Sequence, residues 1–496
     1  MKALELARKS LPTVGSAVML CLAFPPANVS LLVLVALAPW LAHLRDTDAR
    51  GAKRSGYLFG VVFFGYQMSW LVPFVGKWTG SYLLALVPWV LATAFAGLYF
   101  MLAGWFVHRC WVSRKPWAIP LVWAGVEGFR SYIVGLAFPW GIVGFPLWKY
   151  PGYVQHAAWG TIFLVSATVV LLNVVIASFI WPAKEEKLRI SGRASAHYLI
   201  IVVAFILLSL LRFSSSQAGE LRTYTVGQPG VDLAFGDELT REKDVQIAID
   251  SILANALVQG SQTVVFPEGY GGSGSSLPPI GPFKEEPPVP VLFGGFHVEG
   301  DETYQSAFAY DNEWKVANKT RLVVFGEFVP LRDYLPFLQS FDLPSGDLTE
   351  ADELTTLEID GIRTGAMLCF EGVFPDLAER HSRNGAQVLT VMAIDDWYTG
   401  TLAHDQLWMS SVWRSIESGL PLLRSASTGK SLWTDQRGRL MDIAEEGKLT
   451  TLRAEVVVPP QSDAFPNRFA FVWLCWIVMA WVCVERYFGK NKPSGY

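Results

Sequence analysis

Hydrophobic positions follow two different rhythms along this chain. Residues 11–213 form one apolar segment after another, and the run RFAFVWLCWIVMAWVCV within residues 467–485 repeats that character near the carboxyl end. Apolar runs near the ~20 residues needed to cross a bilayer predict about eight spans. They fall near 12–24, 29–44, 57–76, 81–107, 117–135, 159–182, 198–213 and 467–485. Between 214 and 465 the pattern changes to short apolar runs separated by polar segments. TVVFPEG (263–269), PVLFGGFHV (290–298), SAFAYD (306–311), TRLVVFGE (320–327), GAMLCFEG (365–372), AQVLTVMA (386–393) and LPLLRSAST (420–428) are nearly continuous in apolar character, as strands covered on both faces are. EKDVQIAIDSILANALVQG and HDQLWMSSVWRSIESG have helical spacing instead. The expected architecture is a polytopic α-helical membrane domain over 1–213, a layered α/β sandwich over 214–465, and a final span with its tail over 466–496.

Charge assigns an orientation to that arrangement. The loops RDTDARGAKR (45–54) and AKEEKLRISGR (183–193) each hold four Lys or Arg and HRCWVSRKP (108–116) holds three, whereas PPAN (25–28) has none and GKWTGS (76–81) one. Alternate loops are basic, which places them in the cytoplasm. Both termini agree: Lys2, Arg8 and Lys9 precede the first span, and Arg486, Lys490 and Lys492 follow the last. Seven spans before the sandwich then place it outside the cytoplasm. A net charge of −4 gives no reason to expect nucleic acid.

Of the five cysteines, only Cys369 lies in the soluble block, so it has no internal disulfide partner there. A cysteine in an apolar run is ordinarily a small buried hydrophobe. Here polar residues also interrupt neighbouring runs: Glu268 ends TVVFPEG, and Lys319 precedes TRLVVFGE. Sites in α/β sheets are built at strand ends. A carboxylate that takes the thiol proton, an ammonium aimed at a developing oxyanion and a sulfur nucleophile together suit acyl transfer through a thioester. The seven histidines include no H-x-x-x-H pair, so neither a metal nor a cofactor is expected. His404 and Asp405 are expected to serve the start of a helix, Arg414 and Glu417 to pair one turn apart, and Glu127 to pair with Arg130.

FPEG around Glu268, NKTRLVVFGEFVP around Lys319 and LCFEG around Cys369 resemble the Glu-Lys-Cys set of the nitrilase (carbon–nitrogen hydrolase) superfamily. FGEFVP, LAFPPANVSLLVLVALAPWL (22–41) and EGFRSYIVGLAFPW (127–140) narrow the resemblance to its membrane-embedded branch, the apolipoprotein N-acyltransferases. The resemblance implies an αββα sandwich in the periplasm of a multi-pass bacterial inner-membrane enzyme. It further implies ping-pong transfer of an acyl chain from a phospholipid to the amine of a diacylglyceryl-cysteine lipoprotein. By position Cys369 is the nucleophile, Glu268 the base and Lys319 the oxyanion stabiliser, with Glu327, Phe370, Glu371 and Trp397 in support. Membrane lipids are the other expected partners, and a monomer is expected. Ala317, Arg321, Val324, Ile394 and Thr428 depart from the family pattern. A membrane-anchored thioester-forming amidase or hydrolase, or a non-catalytic envelope scaffold, are the alternatives.

Overall fold

The computed structural model describes residues 2–133, 137–270, 273–274, 283, 286–330, 332, 334, 343, 346–461 and 467–489. The chain divides into two units, residues 1–214 with 467–496, and residues 215–466.

The first unit is helical: α1 (Lys2–Ala23), α2 (Val33–Ala36), α3 (Ala38–Arg45), α4 (Ala49–Gln67), α5 (Leu71–Thr79), α6 (Tyr82–Val112), α7 (Ile119–Tyr132), α8 (Ala157–Ile180), α9 (Gly192–Ser214) and α13 (Phe469–Gly489). Among the described residues α6, α8 and the stretch Glu186–Ser214 containing α9 are long and apolar enough to cross a membrane; α4 and α5, bent by 52°, make a fourth if counted as one span. Eight spans are therefore not reached on length and composition. Lys9–Ala23, Ser30–Arg45 and Phe469–Val484 are shorter apolar stretches among the described residues. Helix α7, with 14 residues, rises roughly 21 Å at ~1.5 Å per residue, against a hydrocarbon core of ~30 Å.

Breaks in these helices are repaired by side chains. Between α2 and α3, Asn173 on α8 accepts from the Leu37 amide at 2.9 Å and donates to the Val33 carbonyl at 3.1 Å, which satisfies backbone groups that an unbroken helix would pair internally. Helices α4 and α6 meet through glycine, since a Cβ on Gly56 would lie 2.3 Å from the Phe100 carbonyl oxygen. Glu127 and Arg130 are both buried, but they do not pair with each other as expected. Glu127 Oε1 accepts from Trp123 Nε1 at 3.0 Å and the Val143 amide at 2.8 Å, while Arg130 donates to the carbonyls of Phe138, at 2.7 Å, and Trp140. Both charges are spent on the non-helical backbone after α7, where unpaired peptide groups would cost more than an unmade ion pair.

The second unit is a sandwich. Its first sheet has the order β13-β1-β2-β4-β5-β6, with β3 on β4: β1 (Glu220–Gln228), β2 (Thr263–Val265), β3 (Ser273–Gly274), β4 (Val291–Glu299), β5 (Glu302–Asp311), β6 (Glu313–Asn318) and β13 (Thr450–Val458). The second has the order β12-β11-β10-β9-β8-β7: β7 (Leu357–Ile359), β8 (Ile362–Leu368), β9 (Val388–Ala393), β10 (Leu422–Ala426), β11 (Leu432–Thr434) and β12 (Leu440–Ile443). Strands β1, β2 and β4 run parallel, as do β8, β9 and β10. Val226, Leu292 and Ala309 from one sheet and Leu368, Met392 and Leu423 from the other form the shared core. α10 (Glu238–Gln259) covers the outer face of the first sheet with Ile249, Ile252 and Ala256. α11 (Pro375–Arg383) and α12 (Leu402–Ser418) pack on the second sheet. The layers are α-β-β-α, the nitrilase-like arrangement.

One predicted strand is absent. TRLVVFGE is a turn with a single isolated bridge, Val324 to Phe328, and Phe325 at φ +60°. The Val323 carbonyl accepts from the amides of Gly326 and Glu327 at 3.1 and 2.8 Å, which curls the chain on itself. A short apolar run does not by itself distinguish a strand from a buried turn. Lys319 follows β6, a strand the hydropathy pattern missed because Glu313, Lys315 and Asn318 interrupt it.

Leu423 is fully buried between the sheets. Leu423→Ala should cost about 2–5 kcal/mol, read as a lower temperature at which the sandwich of the detergent-solubilised full chain becomes protease-sensitive. An unchanged temperature would show that the two sheets do not share this core.

Candidate active site

Three chain reversals bring the polar residues together. Glu268 lies just beyond β2, whose extension is held by Phe266 N–H to the Leu292 carbonyl at 2.8 Å and Gly294 N–H to the Pro267 carbonyl at 3.2 Å. Gly294 permits this approach, since a Cβ there would sit 2.8 Å from Glu268 Cα. Cys369 follows β8 at the start of a single 3-10 turn, Cys369–Val373, and has φ +49°. Such a conformation is costly for a residue with a Cβ and marks a sharp elbow. Glu268 and Cys369 thus both lie just past the carboxyl ends of parallel strands.

Glu371 fastens the elbow. Its Oε2 accepts from the Leu368 amide at 2.9 Å, and its Oε1 accepts from the amides of Thr320 and Arg321 at 3.0 and 3.1 Å. One carboxylate therefore joins the cysteine turn to the segment carrying Lys319. Lys319 Nζ donates to Glu327 Oε1 at 2.6 Å, while Glu327 Oε2 accepts from the Val323 amide at 2.9 Å. Glu268, Lys319, Glu327 and Glu371 are all buried; Cys369 retains partial exposure.

The electrostatics follow from this burial. Desolvation pushes the Glu268 carboxyl up to about 7, against the opposing charge of Lys319 and the Cys369 thiol beside it, and its carboxylate accepts from the Ile394 amide at 3.3 Å. Burial and the neighbouring Glu268 raise the thiol well above its ordinary value, although Lys319 works the other way. For Lys319 burial favours the neutral amine, yet Glu327, Glu268, Cys369 and Glu371 outweigh it and hold the group above an ordinary lysine. The resting site is thus a neutral thiol next to a carboxylate that titrates near neutrality, beside a permanent ammonium. That arrangement suits proton transfer from sulfur at the moment of attack.

The supporting residues are placed as follows. Phe370 is buried edge-on to Phe374, with ring centroids 5.9 Å apart. Trp397 is half-buried and meets Phe235 edge-on at 5.3 Å. Arg321 donates to Asp376 at 2.8 Å and stacks over Phe374 at 4.7 Å. Ala317 lies in β6 opposite Ala307, and Val324 in the turn. The Ile394 amide reaches Glu268, and the Thr428 hydroxyl donates to Asp396.

Other residues were not legible in the pattern. Tyr398 is buried where burial and the charges of Cys369, Glu327, Asp395 and Glu268 all push its phenol well up. Asp395 pairs with Arg424 at 2.7 Å. Arg414 makes the expected pair with Glu417 at 2.8 Å, and its further bond to the Val373 carbonyl at the end of the cysteine turn, also at 2.8 Å, is the part the pattern did not show. Their common signal was a charged or phenolic residue inside or flanking an apolar run, which is too frequent on surfaces to single them out. His404 is buried and lies 3.4 Å from Glu446, and Asp405 accepts from Trp408 Nε1 at 2.9 Å. GYGGSGSSLPP (269–279), whose composition reads as a flexible loop, falls largely outside the described residues, as do three residues of PFKEEPPVP (282–290), which reads as an exposed extended loop. Among the described residues no group of three or more His, Cys, Asp or Glu is arranged to hold a metal ion.

A cysteine elbow facing a glutamate and a lysine on a two-sheet sandwich defines a unit of the carbon–nitrogen hydrolase class, and the model of that family matches residues 285–459. The model of the apolipoprotein N-acyltransferase N-terminal domain matches residues 16–175. One chain therefore carries a match to the apolipoprotein N-acyltransferase N-terminal domain followed by a match to a carbon–nitrogen hydrolase domain. It is similar to the apolipoprotein N-acyltransferase of Geobacter metallireducens (25% identity, covering 94% of this chain and 93% of that protein) and to that of Pseudomonas syringae pv. tomato (26% identity, 95% of each). A solved amidase from Nesterenkonia sp. is similar at 15% identity over 53% of this chain and 98% of that one, with a TM-score of 0.37.

Capture of Cys369 by a neutral alkylating agent should accelerate as pH rises through about 7, where Glu268 ionises. Glu268→Gln should remove that inflection and slow capture by roughly 10²-fold. The same raised value makes ionised Glu268 a cost to folding, absent below its ordinary 4.5 and full above about 7. Glu268→Gln should therefore raise the unfolding temperature at pH 8 and leave it unchanged at pH 4; the reverse order would contradict the electrostatics.

Proposed function

We propose that this chain transfers an acyl chain from a phospholipid to the α-amino group of a diacylglyceryl-cysteine lipoprotein by way of a thioester on Cys369. The carrying observation is the convergence of buried Glu268 and Lys319 with the Cys369 elbow, where Glu371 ties the cysteine turn to the lysine segment and each of the three groups lies in the field of the other two. Cys369 sulfur attacks the ester carbonyl while Glu268 takes its proton. Lys319 Nζ, steadied by Glu327, stabilises the oxyanion. The C–O bond then breaks, Glu268 returns the proton to the departing lysophospholipid, and the thioester remains. In the second half, the amine nitrogen attacks the thioester and gives its proton to Glu268. The C–S bond breaks, sulfur recovers the proton, and the amide is complete. Phe370 and Trp397 supply apolar surface beside the reacting groups.

The alternation of basic and uncharged loops supports a threading with eight crossings in a bacterial inner membrane, both termini in the cytoplasm and the sandwich in the periplasm. The segments shorter than a full span would cross with their ends at the interface, where Trp and snorkelling Lys or Arg side chains are tolerated. A membrane-held enzyme meets two lipid substrates at the bilayer surface without extracting either.

Full-length protein incubated with phospholipid alone should gain one acyl mass on the peptide containing Cys369, seen by mass spectrometry, and Glu268→Gln or Lys319→Met should reduce its rate of appearance by ~10²-fold or more. Adding a diacylglyceryl peptide should discharge the adduct into an amide-linked chain. Discharge to free fatty acid instead would identify a hydrolase, and a cysteine that never acylates would identify a scaffold.

A further inference from the structure

The helical unit contains a cavity of about 330 Å³ lined by residues including Leu31, Tyr153, His156, Val169, Leu172 and Val202. It is long rather than round. His156 sits at the start of α8, and Leu172 lies sixteen residues further along, beyond a kink at Gly160 and Thr161; the helical part from Ile162 to Leu172 alone rises roughly 15 Å. On α9, Val202 lies roughly 15 Å from Arg212 by the same measure. Leu31 and Tyr153 are each more than half exposed at its rim, so the cavity opens sideways from the helices.

Its unsatisfied buried polar atom sits at one end, whereas the Thr168 hydroxyl further along donates to the Leu164 carbonyl within α8 at 2.9 Å. His156 is 2% exposed; its amide and Nδ1 both meet Ser209 Oγ, at 3.1 and 2.9 Å, while its Nε2 has no hydrogen-bond partner. The serine hydroxyl that accepts the amide can donate its own proton to Nδ1, and in that tautomer Nε2 carries the ring proton. Two cations flank this end. Lys149, next to lining residue Tyr150, donates to the Asn28 carbonyl at 3.4 Å, and Arg212 donates to Gln155, the neighbour of His156. A buried donor without an acceptor is expensive, and an apolar slot with cations at one end has the order of groups found in a glycerophospholipid.

We propose that this groove holds one acyl chain of a bilayer glycerophospholipid, with an ester carbonyl accepting from His156 Nε2 and the phosphate between Lys149 and Arg212. This lipid is a resident of the helical unit and is distinct from the molecule consumed at Cys369. The inference rests on the membrane reading given under Proposed function; on that threading the lipid belongs to the outer leaflet.

The test uses full-length protein in phosphatidylethanolamine and phosphatidylglycerol vesicles containing a trace of phosphatidylglycerol with a diazirine in one acyl chain. After photolysis, peptides are mapped by mass spectrometry. Adducts should concentrate on residues 165–172 and 202–206, and Val169→Trp, which fills the slot, should reduce them at least ~tenfold. Lys149→Glu, an exposed change that leaves the fold intact, should reduce them roughly five-fold for the phospholipid and leave labelling by a diazirine monoacylglycerol unchanged. Equal yields in parent and Val169→Trp, or adducts spread evenly over the exposed face of α6, would overturn the proposal. Cys369 acylation is read from the same vesicles. Acylation without groove adducts removes the groove alone, whereas groove adducts without acylation retain it and remove the transferase reading.

Discussion

Glu371 is the group on which the site depends. Its carboxylate collects the Leu368 amide from the strand before Cys369 and the Thr320 and Arg321 amides from the segment after β6. Those segments lie about fifty residues apart in sequence and belong to different sheets, so no local propensity sets the distance between sulfur and ammonium. A single acceptor with two oxygens does. Removing it would leave three amide donors unpaired where burial makes each costly, and would release the turn that holds Cys369 at φ +49°.

Hydrogen-bond supply also distinguishes the carboxylates. One ammonium sits among Glu268, Glu327 and Glu371, and all three are buried. Glu371 has backbone donors on both oxygens, and Glu327 has the lysine at 2.6 Å on one and an amide on the other. Glu268 has a single long backbone donor at 3.3 Å, and burial pushes it up to about 7, so it can exchange a proton near neutrality. Arg321, one of the departures from the family pattern, adds a second tie between the lysine segment and the start of α11 through Asp376 and the Phe374 ring.

In the helical unit polar side chains play a comparable role. Asn173 repairs the break between α2 and α3, while Glu127 and Arg130 hold the irregular chain that follows α7. Each supplies hydrogen bonds that water would provide elsewhere. Trp70, Trp111 and Trp140 serve that interior too: they are buried, despite sequence positions near span ends that suit an interfacial belt.

The amino-acid sequence determined the order of the chain: helical segments, then strands alternating with helices, then a last helix, with Glu268, Lys319 and Cys369 at the ends of apolar runs. Periodicity carries that much because burial of one face or both is written locally. It also set the charge alternation of the loops. Tertiary structure alone decided that TRLVVFGE curls into a turn, that Glu127 and Arg130 serve backbone and not each other, that Tyr398 and Arg424 border the site, and which glutamate titrates near 7. These outcomes depend on what lies opposite a residue across the sandwich or bundle, and on how many donors reach a carboxylate once water is gone. Neither quantity has a period along the chain.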